Sequence, residues 1–120
     1  MAAAPFDLII EQGTDYETRL TLTHKPAPDA PAVPVDLTGC SLRAQIRPHR
    51  GADAGLLYDL GGGLAITDPA AGHARLFIPG EDSAAWTWRT GVWDLELLDA
   101  GGRPRRLLQG TVRVDPEVTR

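Results

Sequence analysis

Apolar residues fall on every second position in one segment of the chain after another. LTL at 20–22, LRAQI at 42–46, LAI at 64–66, ARLFI at 74–78, WDLEL at 93–97 and TVRV at 111–114 all keep this beat. A period of two marks a strand with one face buried and the other in water. Between these segments stand GTD at 13–15, LTG at 37–39, GGG at 61–63, DPAAG at 68–72, PGED at 79–82 and DAGGRP at 99–104. These are runs of turn-forming residues. Links this short predict antiparallel neighbours, because parallel pairs need long crossovers. The expectation is therefore an all-β chain, a single antiparallel sandwich or barrel of seven to nine strands.

Face by face, the pattern also predicts a core. Leu20 and Leu22 share one side of a strand over 16–24, and Leu42 and Ile46 one side of 40–47. Leu76 and Ile78 face inward from 73–79, Trp93 and Leu95 from 91–100, and Val112 and Val114 from 105–114. Residues 5–12 read as a first strand, and 56–60 and 64–67 as short ones. Helix is expected only over 80–86, where Glu81 and Asp82 suit the positive end of the helix dipole. Flexible tails are expected at about 1–5 and 115–120. Residues 25–34 hold Pro26, Pro28, Pro31 and Pro34. Proline cannot donate to a ladder, so this stretch reads as a loop of polyproline II character. It serves either as a stiff connection or as a partner-binding segment.

Composition narrows the classes. The chain has 120 residues, 42% of them hydrophobic, enough for one domain with a core of its own. Its net charge is −4, with both signs interspersed, which argues against a nucleic-acid partner. Cys40 is the single cysteine, so no intrachain disulfide forms and a reducing compartment is expected. MAAAPFDLII lacks a basic leader region, and no run approaches the ~20 apolar residues of a membrane span. No membrane partner is expected.

The vocabulary of catalysis is thin. His24, His49 and His73 are scattered without ligand spacing, so no metal and no cofactor is expected. Gly61–Gly63 precede no Gly-Lys-Ser/Thr, which favours a turn or bulge with positive φ over a phosphate cradle. Asp94 and Glu96 share a strand face about 7 Å apart. That spacing fits a two-carboxylate hydrolase, but an acidic solvent face on an alternating strand is the favoured reading. Ser41 and Ser83 sit in no nucleophile elbow, and Cys40 reads as a small hydrophobe. No catalytic residue is assigned, and no enzyme activity is expected.

The contact vocabulary is richer. Trp86 and Trp88 flank Thr87, and exposed tryptophans stack on sugars or anchor protein interfaces. Arg103, Arg105 and Arg106 follow the last turn and suit bidentate pairing with a partner's carboxylates. With Pro26, Pro28 and Pro31 these residues form the candidate interface.

The order of segments carries a resemblance. It runs FDLIIEQGTDYETRLTL, PVDLTGCSLRAQIR, LLYDLGGGLAITDPAAGHARLFIP, and then EDSAAWTWRTGVWDLELLDAGGRPRRLLQGTVRVDPEVTR. This resembles small phage and prophage tail or baseplate structural proteins, and is similar to the immunoglobulin-like N-terminal domain of baseplate upper proteins. The shared elements are the "QG" after the opening strand, VDLTG before a QIR strand, GVWDLEL, and a closing LLxGxVxV. They span residues 6–118, while baseplate proteins of this kind continue into long C-terminal regions. The resemblance implies an immunoglobulin-like β-sandwich and a non-enzymatic virion structural protein of the tail, baseplate or neck. Its partners would be other virion proteins, with a symmetric homo-oligomer in the particle, made in the host cytoplasm. Two alternatives stand beside it: a carbohydrate- or receptor-binding β-sandwich using Trp86 and Trp88, and a capsid decoration protein.

Overall fold

The computed structural model describes residues 3–120. Strands hold 48% of the residues and helix 7%, so the all-β expectation holds, and the strands lie largely in antiparallel sheets. In chain order they are β1 (Ala4–Pro5), β2 (Leu8–Glu11), β3 (Tyr16–Thr21), β4 (Thr23–His24), β5 (Val33–Pro34) and β6 (Ser41–Arg47). Then come β7 (Tyr58–Asp59), β8 (Leu64–Asp68), β9 (His73–Ile78), the helix α1 (Gly80–Ala84), β10 (Thr90–Leu98) and β11 (Pro104–Asp115). Among the described residues eleven strands thus stand where seven to nine are expected, but β1, β4, β5 and β7 are only two residues long.

The larger sheet runs β1-β11-β10-β6-β7, with β2 also on β11; the second runs β3-β9-β8; β4 and β5 form a small ribbon. Both β1 and β2 pair with β11 in parallel, which corrects the wholly antiparallel expectation. A parallel pair needs a long crossover, and the whole domain between β2 and β11 supplies it. The expected N-terminal tail is shortened accordingly, since Ala4 and Pro5 lie in β1 against Leu108 and Gln109. Met1 and Ala2 of that tail lie outside the described residues.

The two larger sheets share one apolar cluster. Leu20, Leu76 and Ile78 come from the second sheet and Ile46, Trp93, Leu95 and Val112 from the first. All the expected core residues are buried except Leu42, which is only half-buried. It lies near the end of β6 opposite Leu97. Leu8 and Ile10 of β2 add to the core, as do Val35, Leu37 and Leu60, which lie outside the strands. Burying each such side chain contributes roughly 1.5–3 kcal/mol. Trp93 is also tied by its polar end, donating from Nε1 to the Phe6 carbonyl at 2.7 Å.

Gly61–Gly63 form a 3-10 turn, and none of the three has positive φ. The expected positive-φ turn or bulge is therefore replaced by a close approach. A Cβ on Gly63 would strike the carbonyl of Phe77, whereas one on Gly62 would meet open space. Gly63 is there to let β9 pass. Helix α1 matches the expected 80–86, though shorter. Its Pro79 N-cap offers no side-chain bond; instead Asp15 Oδ1 accepts from the Gly80 N–H at 2.8 Å.

Candidate functional site

The Pro-rich loop is not free. Thr23–His24 pairs with Val33–Pro34 at its base, and the Val35 N–H donates to the Leu22 carbonyl at 2.9 Å. Leu22 in turn donates to the Gly72 carbonyl at 2.8 Å. Leu22 and Val35 are buried, so the base of the loop is fastened to the core. Its tip, residues 25–29, is exposed. The fastened loop stands beside the beginning of β11, and a groove of about 850 Å³ lies between them.

A bulge shapes the other wall. Leu95 pairs with Leu108, but Glu96 pairs with Arg106, so Leu107 is an extra residue in β11. Directly opposed residues share a face. The bulge therefore places Arg105, opposite Leu97, on the side of the sheet that Leu97 buries. Arg106, opposite Glu96, lies on the outer side. There its Nε meets Asp94 Oδ2 at 3.2 Å, and its Nη1 donates to Gln109 Oε1 at 3.3 Å.

Of the predicted interface residues, the groove unites Pro26, Pro28, Arg105 and Arg106. Pro31 is exposed on the same loop outside the lining, and Arg103 sits in the β10–β11 turn, where its N–H donates to Asp99 Oδ1 at 2.9 Å. Sequence reasoning missed His24, Lys25 and Leu107, which also line the groove. Lys25 carried a signal, being the single lysine and standing at the head of the prolines.

Trp86 and Trp88 lie toward the opposite end of β11. Their rings stack on one another with centroids 4.6 Å apart, and Tyr58 packs edge-on against Trp86 at 5.0 Å. Both indoles are half-buried against the core. Trp88 Nε1 is buried without a hydrogen-bond partner. Tyr58 donates its hydroxyl to Asp82 Oδ2 at 2.6 Å. Burial, reinforced by that bond and by the Asp82 charge, pushes the phenol well above its ordinary pKa. Gln12 closes this end, donating from Nε2 to the carbonyls of Ser83 at 3.1 Å and Trp86 at 2.9 Å. The two tryptophans thus stack on each other, each half-buried.

Other singled-out residues have local partners. Glu96 Oε1 accepts from Arg43 Nε at 2.7 Å, so each carboxylate of the Asp94/Glu96 pair meets a guanidinium from an adjacent strand. Cys40 is a free, half-buried thiol at the start of β6. The turn before it is set by Asp36, whose Oδ1 accepts from the Thr38 N–H at 3.0 Å. Hydrogen bonds from Thr38 hold the Asp36 carboxyl below its ordinary pKa. Among the described residues, no group of three or more His, Cys, Asp or Glu side chains is arranged to hold a metal ion. Among the same residues, no helix is long and apolar enough to cross a membrane. No family model matches the chain, and no curated protein matches it in sequence.

Proposed function

We propose that the chain is a non-enzymatic structural protein of a phage virion, an assembly module of the tail, baseplate or neck. In this reading the two facing sheets are an immunoglobulin-like β-sandwich, and the module works by contact with other virion proteins and with copies of itself. The observation that carries it is the groove between the fastened Pro-rich loop and the start of β11. It lies between a loop whose base is fastened to the core and a strand of the larger sheet, and four of the predicted interface residues meet there. The motifs behind the family resemblance support it by falling at structural joints. Gln12 binds the Trp86 carbonyl, Val35 and Leu37 of VDLTG are buried, and GVWDLEL is the strand between β11 and β6.

The test is composition and assembly of purified particles. The protein is expected at a fixed copy number per particle. Replacing residues 26–32, which leaves the Thr23–His24/Val33–Pro34 ribbon in place, by a Gly/Ser linker is expected to abolish incorporation while leaving the fold intact. A small contact repeated around a symmetric ring gains strength through multivalency, so the isolated protein is expected to be monomeric. Absence of the expressed protein from intact particles would overturn the proposal.

A further inference from the structure

We infer that the groove beside β11 receives an extended acidic segment of a partner protein, which adds as a strand to the open end of β11. This inference rests on the assembly reading above and names the chemistry of the partner.

Two observations meet here. The first is an unpaired edge. On the side away from β10, β11 is covered by β1 at Leu108 and Gln109 and by β2 from Val112 to Asp115. Asp7 Oδ1 takes the Thr111 N–H between them at 2.9 Å. Among the described residues, no strand pairs with residues 104–107 on that side. An edge strand turns alternate N–H and C=O groups outward, and these pair readily with an added chain. The groove lies along this stretch and continues the lane that β1 occupies, with Ala4 at its end.

The second observation is charge. The groove walls carry His24, Lys25, Arg105 and Arg106 and no carboxylate. Asp29, on the same loop, is exposed outside the lining. Arg106 is occupied by Asp94. Lys25 and Arg105 make no ion pair among the described residues. Both are exposed, one on each wall. The net charge of the chain is −4, so this local excess of cations runs against the whole. Pro104 and the arginines are the residues that guard an edge against indiscriminate pairing. They exclude basic strands and match a strand whose carboxylates alternate with small apolar residues. Such residues would seat against Pro26, Ala27 and Leu107.

The probe is a short synthetic peptide alternating glutamate and valine, titrated into the full chain by fluorescence anisotropy and by amide NMR. Binding is expected to shift the amides of residues 105–107 and 24–27 and to weaken with salt. Arg105→Glu and Lys25→Glu, on exposed positions that leave the fold intact, are each expected to weaken it at least about tenfold. The same peptide with lysine for glutamate, or N-methylated on alternate amides, is expected not to bind. Equal binding of the N-methylated peptide would show attraction without strand addition and overturn the inference. So would oligothymidylate binding as tightly, or an affinity untouched by Arg105→Glu. Removing residues 1–3, which the parallel register of β1 would carry alongside residues 105–107, is expected to leave the affinity unchanged, and a large gain would show that the chain's own N-terminus fills the lane and would overturn the inference. Particle incorporation is scored separately. A virion component that ignores the peptide defeats this inference alone; a peptide binder absent from particles defeats the assembly reading alone.

Discussion

Ser83 Oγ accepts the backbone N–H of Gly13 at 2.8 Å, joining α1 to the turn between β2 and β3 across seventy residues of chain. The same hydroxyl lies 3.3 Å from the Gly80 carbonyl, to which it donates. Ser83 is fully buried. Ser83→Ala would leave the half-buried Gly13 N–H without its acceptor, at a cost of up to about 1–3 kcal/mol, the upper end applying to a fully buried donor. Chemical denaturation should register that loss with an unchanged m-value. A stability equal to wild type would mean that water replaces the hydroxyl.

Leu95 tests the face assignment of the central strand. It is fully buried in β10, between Ala44 of β6 and Leu108 of β11. Leu95→Ala is expected to cost roughly 2–5 kcal/mol, the transfer loss plus the cavity left behind. Its neighbour Asp94 points to the other side, so Asp94→Ala is expected to cost about 1 kcal/mol or less through its exposed ion pair. Reversal of the two effects would mean that the strand is slipped by one residue.

The contrast between β10 and β11 explains what was legible in the sequence. In β10 a strict alternation of Trp93, Leu95 and Leu97 with Asp94 and Glu96 declares both faces, and all three apolar residues are buried. In β11 the run RRLLQ has no alternation, and the bulge at Leu107 depends on what β10 presents opposite it. The groove was half legible for the same reason. Arg105, Arg106 and the prolines could be singled out as candidates. Their meeting was not legible, because it requires β1 and β2 to lie parallel on β11 and the ribbon β4–β5 to fix the loop. Those pairings join distant parts of the chain through short segments with weak patterns of their own. The joining roles of Gln12, Ser83 and Tyr58 were not legible because each works through a partner far away in sequence.

Gly62 and Gly63 are adjacent and chemically identical, yet their substitution should differ sharply. A Cβ on Gly63 would collide with the Phe77 backbone, which cannot swing aside as a side chain can. Gly63→Ala is therefore expected to cost about 1–3 kcal/mol through forced backbone movement. Gly62→Ala meets nothing within contact distance, and its φ is not positive, so it should be close to neutral. Equal thermal stability of the two variants would place the tightness of the β8–β9 approach elsewhere.

Tyr58 predicts how stability falls in alkali. Burial, the bond to Asp82 and the Asp82 charge all raise its phenol pKa above the ordinary 10.0; burial also raises that of Tyr16. These are the only two tyrosines. For both, the folded state holds the proton more tightly than the unfolded state. Their contribution is therefore fully present below about pH 10, where neither state has ionised, and is lost as pH rises through the folded value. The folded protein should show less phenolate absorbance than two free tyrosines at the pH where free tyrosine is half ionised. Phenolate should appear together with unfolding. Denaturation midpoints measured from about pH 8 to about pH 11 should fall more gently in Tyr58→Phe than in wild type. The remaining slope in that variant includes the part that belongs to Tyr16. If half of the tyrosine absorbance titrates near its ordinary value while the chain stays folded, and Tyr58→Phe has the wild-type slope, then the hydroxyl is not held by Asp82 in solution. In that case the packing of Trp86 against Tyr58 would have to stand without that bond.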